Sequence, residues 1–549
     1  AQAGGAGTSD ATVEVVSEGT SQYVYANGTI AFNAGDGTNA HVLVSATNGT
    51  QDIGDSYNYY GRQTDTVTFQ GGGGMNSYVL VSAAGGRQYG EADLAFNVLG
   101  GTGSGSYARF THTGSGEQRV GFYRPDCYYY YCYESTLNDI NVKGGPGTDS
   151  FGSIDTDGAQ RISPTHNLTV EGNGDGAYGL VSGGGVQYIG NNYDGSATTA
   201  ITGGPGTGAY AAIRSVGSKA VYLGNTTLTA GTGEGSDAEM TTEGEMYLRL
   251  GDLGIFGGGG MGGYGGMDTT ASARVTSVGD LTFYADTVTL QGGDGPDSVA
   301  ELGSTSGDVY GQFDYDSLHI RGGTAPGARA RLFGDTVTLE GGDVELTGGS
   351  AEDTSASIEA GSTLKLGSFG GGGGYGGYGG YGGYSGYDTY IGDLILAAGP
   401  APGAGASAIG QMIEINSYGT ASLTGSAGSA DNPSDAVIRS NSGGMTLVAS
   451  SVQLNAGEVH STTGIFADGG GAMSITASDG VALASTNDTT ASAPVQIRDT
   501  ATASLVIDAP YGGVTLNNQG AGLIEIGSPG TVEITARYVD VQTASTGAS

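Results

Sequence analysis

Residues 288–295 read VTLQGGDG, and the same cadence returns as LHIRGGTA at 318–325, VELTGGSA at 344–351, LILAAGPA at 394–401, ASLTGSAG at 421–428 and VQLNAGEV at 452–459. Each is apolar, any residue, apolar, then a turn rich in Gly. Alternation of period two places Val288 and Leu290 on one face and Thr289 on the other, the pattern of a half-buried β-strand. Successive copies lie 30 and 26 residues apart from 288 through 318 to 344, and 27, 31 and 29 apart from 394 through 421 and 452 to Val481. A steady period of this size marks a solenoid, in which like strand stacks on like strand.

A second strand follows each first one after the Gly turn and begins with a small residue, as in Ala300 and Leu302, Ala330 and Leu332, Ala356 and Ile358, or Ala436 and Ile438. A third comes next, as in Leu281 and Phe283, Val337 and Leu339, Leu364 and Leu366, Ile413 and Ile415, Met445 and Leu447, or Met473 and Ile475. No window carries apolar residues at helical spacing without a Gly inside it, and each interior Gly costs a helix about 1 kcal/mol. The fold expected is all-β: a right-handed parallel β-helix with about 25–31 residues and three short strands per coil. A meander of hairpins would reverse at two-residue turns, whereas these strands recur only after a whole unit. At a spacing of about 4.8 Å, roughly eighteen coils would make a rod on the order of 90 Å long.

The chain is expected to be one continuous solenoid over 1–549, with insertions at about 121–134 (Cys/Tyr), 257–267 (Gly/Met/Tyr) and 370–390 (Gly/Tyr). The last two are read as enlarged turns, entered through Ile255 and Phe256 in one case and Phe369 in the other, where other coils carry only GG. Because 344 to 394 is 50 residues, nearly two units, a further coil is expected inside that span.

Composition limits the partners. Gly supplies 110 of 549 residues, Trp none, and 55 acidic against 18 basic residues give a formal charge of −37. Nucleic acid and anionic lipid would meet repulsion over most of such a surface. No run approaches the roughly 18 apolar residues of a membrane span. The start, AQAGGAGTSD, shows no basic segment followed by an apolar one, so a signal peptide is expected to be removed or never present. Cys127 and Cys132, in DCYYYYCYE, lack a nearby His, so they fit a small local disulfide outside the cell better than a zinc site.

Tyrosines are the candidates for self-association: Tyr128, Tyr129, Tyr130 and Tyr131 beside the cysteines, Tyr264, and Tyr375, Tyr378, Tyr381, Tyr384 and Tyr387 at every third residue of the Gly/Tyr run. Their rings can pack with little side-chain entropy to lose. GGPGTDSFG from Gly144 and GGDGPDSVA from Gly292 match a nine-residue calcium repeat, yet they stand isolated, and GGPGTGAYA at 203 lacks the Asp. Asp149, Asp294 and Asp297 are the candidate calcium ligands, and no other cofactor is expected. No GxxxxGK[ST] occurs. His41, His112, His166, His319 and His460 are scattered and expected on the surface, with no catalytic residue among them.

Stretches such as LTVEGNGDGAYGLVSGGG, ITGGPGTGAYAAIRSVGSKAVYLGN and VTLQGGDGPDSVAELGSTSGDV resemble the β-helical region of filamentous-haemagglutinin-like exoproteins of bacterial two-partner secretion, from about residue 30 to about 540. The resemblance implies export through an outer-membrane secretion partner and a place at the cell surface. The Asn-Pro-Asn-Gly motif of their secretion domain does not occur here, as expected of a processed fragment or of a relative exported differently. The function expected is that of an extracellular structural protein, not an enzyme, whose main partner is itself. Strands in ATVEVVSEG and TVEITARYVDVQT would offer unpaired edges for addition of another copy, giving a filament. The alternatives are the rod of a secreted adhesin binding a glycan or cell-surface ligand and, behind it, a polysaccharide lyase or hydrolase built on the same coil.

Overall fold

The structure, a computed structural model, describes all residues except 6, 8, 55–63, 122–137, 191–196, 260–269, 314–316, 368–389, 486–492, 501–502, 520–521 and 544–549. Among the described residues the regular elements are all β-strands, so none is a helix long and apolar enough to cross a membrane. The chain divides into two compact units, Ala1–Leu281 and Thr282–Ser549, and each is a parallel β-solenoid.

In the first unit the second strands run from Thr12–Ser17 through His41–Ala46, Tyr78–Ala84, Tyr107–Thr113, Phe151–Thr156, Tyr178–Gly183, Tyr210–Ser215 and Ala238–Thr242 to Ser272–Ser277. Register puts like over like: Val44 lies against Val81, then Phe110, Ile154, Val181, Ile213, Met240 and Val275. The first strands do the same with Phe32, Phe69, Val98, Val142, Val170, Ile201, Leu228 and Ile255. Nearly all of these side chains are fully buried, each contributing about 1.5–3 kcal/mol. In the second unit Leu302, Leu332, Ile358, Ala408, Ile438, Ile465, Ile497 and Ile526 form the matching column. From Met445 onward the third strand of one coil and the first of the next fuse into long strands, such as Met473–Ser485 and Leu505–Asn518, bent where the register shifts.

Two corner features explain the glycine content. At the GG turn, a Cβ on Gly72 would run into the carbonyl oxygen of Gly35, one on Gly101 into that of Gly72, and one on Gly145 into that of Gly101. These corners pack main chain on main chain, which excludes any side chain. A few residues later each corner needs one residue of positive φ: Asn39 (55°), Asn76 (54°), Gly105 (67°), Asp149 (56°) and Gly176 (65°) in the first unit, Asp297 (53°), Gly327 (74°), Asp353 (59°) and Gly403 (74°) in the second. Gly, Asn and Asp are the residues that tolerate this region.

Two expectations about the insertions are corrected. Val344–Thr347 pairs directly with Leu394–Ala397, so the 50-residue step holds one coil and an insertion rather than two coils. The Gly/Met/Tyr segment does lie at a GG corner, between Leu253–Phe256 and Ser272–Ser277, but the Gly/Tyr segment lies at a different corner, between the third strand Thr363–Leu366 and the first strand Leu394–Ala397. The Cys/Tyr segment shares that second kind of corner, between Gln118–Gly121 and Asp139–Lys143.

Candidate functional site

The side chains with the most organised chemistry lie in two columns of the first unit, one facing the interior and one facing solvent. Gln22, Gln51, Gln88, Gln118, Gln160 and Gln187 occupy the first inward position of successive third strands. Each amide donates from Nε2 to Oε1 of the preceding one, at 2.7 Å for Gln51 to Gln22, 2.7 Å for Gln88 to Gln51, 2.8 Å for Gln118 to Gln88, 2.7 Å for Gln160 to Gln118 and 2.6 Å for Gln187 to Gln160. The same nitrogen also reaches carbonyl oxygens of the second strands, as Gln118 does with Phe110 (3.1 Å) and Asp155 (3.0 Å). Parallel stacking near 4.8 Å suits an amide, which has a donor and an acceptor to offer along the axis.

The next member of this column is Lys219, fully buried, whose Nζ donates to the carbonyl oxygens of Ile213 (2.6 Å) and Thr241 (2.8 Å). Burial holds its pKa well below the usual lysine value, and Arg214 adds a smaller push in the same direction. Gln187 Oε1, at the end of the amide row, is buried without a hydrogen-bond donor. The following member is Met246, where the column becomes apolar.

On the outer face of the second strands, His41, Tyr78, Tyr107, Phe151, Tyr178 and Tyr210 stack ring on ring. Centroid separations are 4.8, 4.7, 4.6, 4.7 and 4.7 Å and the planes lie within 8° of parallel. Burial among neighbours raises the phenols of Tyr107 and Tyr210 and pushes that of Tyr178 up to about 12. The Arg214 guanidinium sits 5.4 Å from the Tyr210 ring centre. Arg109 pairs with Asp155 through Nε (2.8 Å) and Nη2 (2.6 Å), a bond that raises the arginine pKa, and Arg214 pairs with Glu239 at 2.6 Å. Because each ring face inside the stack covers another ring, the column presents edges and hydroxyls rather than flat platforms.

The second unit has a groove of about 480 Å³ lined by Ser304, Arg331, Phe333, Asp335 and Glu359 among others. Arg331 lies 4.2 Å over the Phe333 ring and bridges Glu301 (3.3 Å) and Glu359 (3.4 Å), so these two acceptors already have a donor.

The residues singled out from sequence fare differently. Cys127, Cys132, Tyr128 to Tyr131, Tyr264 and Tyr375, Tyr378, Tyr381, Tyr384 and Tyr387 lie outside the described residues. Asp149 and Asp297 occupy the positive-φ corner position that Asn or Gly fills in other coils, which accounts for the Asp of both calcium-like motifs by backbone geometry alone. Asp294 accepts from Thr324 Oγ1 at 2.5 Å. Among the described residues no three His, Cys, Asp or Glu side chains gather as metal ligands. His319 faces outward, with Nδ1 2.7 Å from Glu345. His112 is a correction: it is fully buried, with Nδ1 at Thr156 Oγ1 and Nε2 2.6 Å from the Gly86 carbonyl.

Neither column was singled out from sequence, although both leave a trace there. The amides stand in QYV, QDI, QYG, QRVG, QRIS and QYIG, and the rings follow the corner pairs NA, NS, GS, DS, GA and GA. No family model, curated protein or solved structure matches the chain.

Proposed function

We propose that the protein is an extracellular structural protein, a subunit of a surface filament built by packing β-solenoids on one another. The observation that carries this reading is the devotion of long runs of polar and aromatic side chains to ties between coils. Six glutamines tie six successive coils of the first unit to one another, and six rings do the same one coil further along. Such columns stiffen an axis and hold a regular surface, the properties a load-bearing fibre needs. A formal charge of −37 and the resemblance to β-helical exoproteins support a place outside the cell. Negative-stain microscopy of the purified chain tests the reading: long fibres are expected, and isolated short rods at high concentration would overturn it.

A further inference from the structure

The six second strands that carry the ring column form a parallel sheet whose outward residues are unlike the rest of this acidic chain. Beside the rings lie Leu43, Leu80 and Leu180, all half-buried, in register on their strands. Apart from His41 at the end of the ring column, whose Nε2 lies 3.1 Å from Thr12 Oγ1, the acidic and basic side chains that face outward on these strands are Arg109, Asp155 and Arg214. Each is in an ion pair, Arg109 with Asp155 and Arg214 with Glu239. A molecule of formal charge −37 repels its own copies over most approaches, and this face lacks an unpaired carboxylate to do so. Its size is also sufficient. Six strands about 4.8 Å apart and about five residues wide cover roughly 500 Å² per copy, so a pair would bury about 1,000 Å², the lower bound for a specific interface.

We propose that this face is where two copies of the chain pair, sheet against sheet about a two-fold axis, with the ring column of each lying in the channel between the rings and leucines of the other. A two-fold contact lets one patch serve both partners. The pairing supplies the lateral contact of a filament and rests on that reading of the protein.

The test uses the full chain in a concentration series by sedimentation velocity, with Leu80→Glu and Leu180→Glu as face variants and Thr227→Glu, on an outward position of a first strand, as the control. Far-UV circular dichroism and the thermal midpoint check that each variant folds. Native and Thr227→Glu chains are expected to pair, and each face variant to raise the dissociation constant about tenfold or more, since each acid is brought in twice. A second measurement does not depend on added charge: benzoylphenylalanine in place of Tyr178 is expected to cross-link to the second strands of another copy, from His41–Ala46 to Tyr210–Ser215. A native chain that stays single at all concentrations, pairing indifferent to Leu180→Glu, or cross-links confined to other strands would overturn the proposal. Fibres one solenoid wide that ignore the face variants overturn the pairing and leave the filament standing. Paired chains that never form fibres overturn the filament and leave the pairing.

Discussion

The first inward position of the third strand is filled by amides over six coils of one unit and by hydrocarbon in the other. Residues 22 to 187 supply six stacked glutamines, whereas the second unit places Val309, Val337, Leu364, Ile413, Met445 and Met473 there. Both columns are buried. The apolar column gains from each residue separately, through area removed from water. The oxygen of each buried amide takes its hydrogen bond from the amide of the next coil, so the glutamine column is a commitment shared by neighbours.

The largest effect expected follows from that contrast. Gln118→Leu strands Gln88 Oε1 in the interior and takes one acceptor from Gln160 Nε2, which keeps the carbonyl oxygen of Ser182, at a cost of about 2–4 kcal/mol, while Val337→Ala in the other column costs about 2–3 kcal/mol. Hydrogen exchange of the full chain, read coil by coil, should show loss of protection spreading to the coils on both sides of residue 118 and remaining local around 337. Equal, local losses at both sites would break the comparison. Adding Gln88→Leu to Gln118→Leu should cost less than the two single changes summed, because the pair removes both members of one bond.

Lys219 sharpens the boundary between the two kinds of column. Its folded pKa lies below the unfolded value of 10.5, so between those values the unfolded chain binds a proton that the folded chain refuses. Stability contributed at this site therefore rises with pH and levels off above 10.5, with a slope of up to about 1.4 kcal/mol per pH unit. Lys219→Met, which extends the apolar column from Met246, should stabilise the protein most at the low-pH end of that window and remove the slope. Denaturant melts at several pH values check this, and an unchanged slope in the variant would locate it elsewhere.

The smallest effect belongs to the outer column. Tyr178→Phe should change stability by less than about 0.5 kcal/mol at pH 7, since Phe151 already serves as a rung. Above pH 10 the sign is opposite to that of Lys219: a phenol raised to about 12 keeps its proton in the fold, and the stability it contributes is lost as pH rises from 10 through 12. The variant should lose less stability over that range, as followed by phenolate absorbance and unfolding together.

The strand rows, their period and the corner glycines could be read before any coordinates, because alternation and Gly placement are local properties that every coil repeats. Val288, Leu318 and Val344 were in register on the page. The glutamines were not legible in the same way. Gln51 and Gln88 are 37 residues apart, outside the regular period, and a polar residue opening a short strand looks like any solvent-facing edge until register sets it over its like. The Gly/Tyr segment misled for a related reason, since an insertion nearly one period long imitates a coil in a count of spacings. His112 was misplaced because burial of a polar ring depends on two partners, Thr156 and Gly86, that lie 44 and 26 residues away.

In a parallel sheet the main-chain N–H and C=O groups point alternately up and down the stack, so their dipoles largely cancel. The six side-chain amides do not alternate. From Gln51 to Gln187 each nitrogen donates to the amide oxygen of the lower-numbered coil, and from Gln22 to Gln160 each oxygen accepts from the higher, which gives the row an electric axis with its positive pole toward Gln22 and its negative pole toward Gln187. The hydrocarbon column of the other unit has no such axis, so the two units differ in polarity as well as in packing.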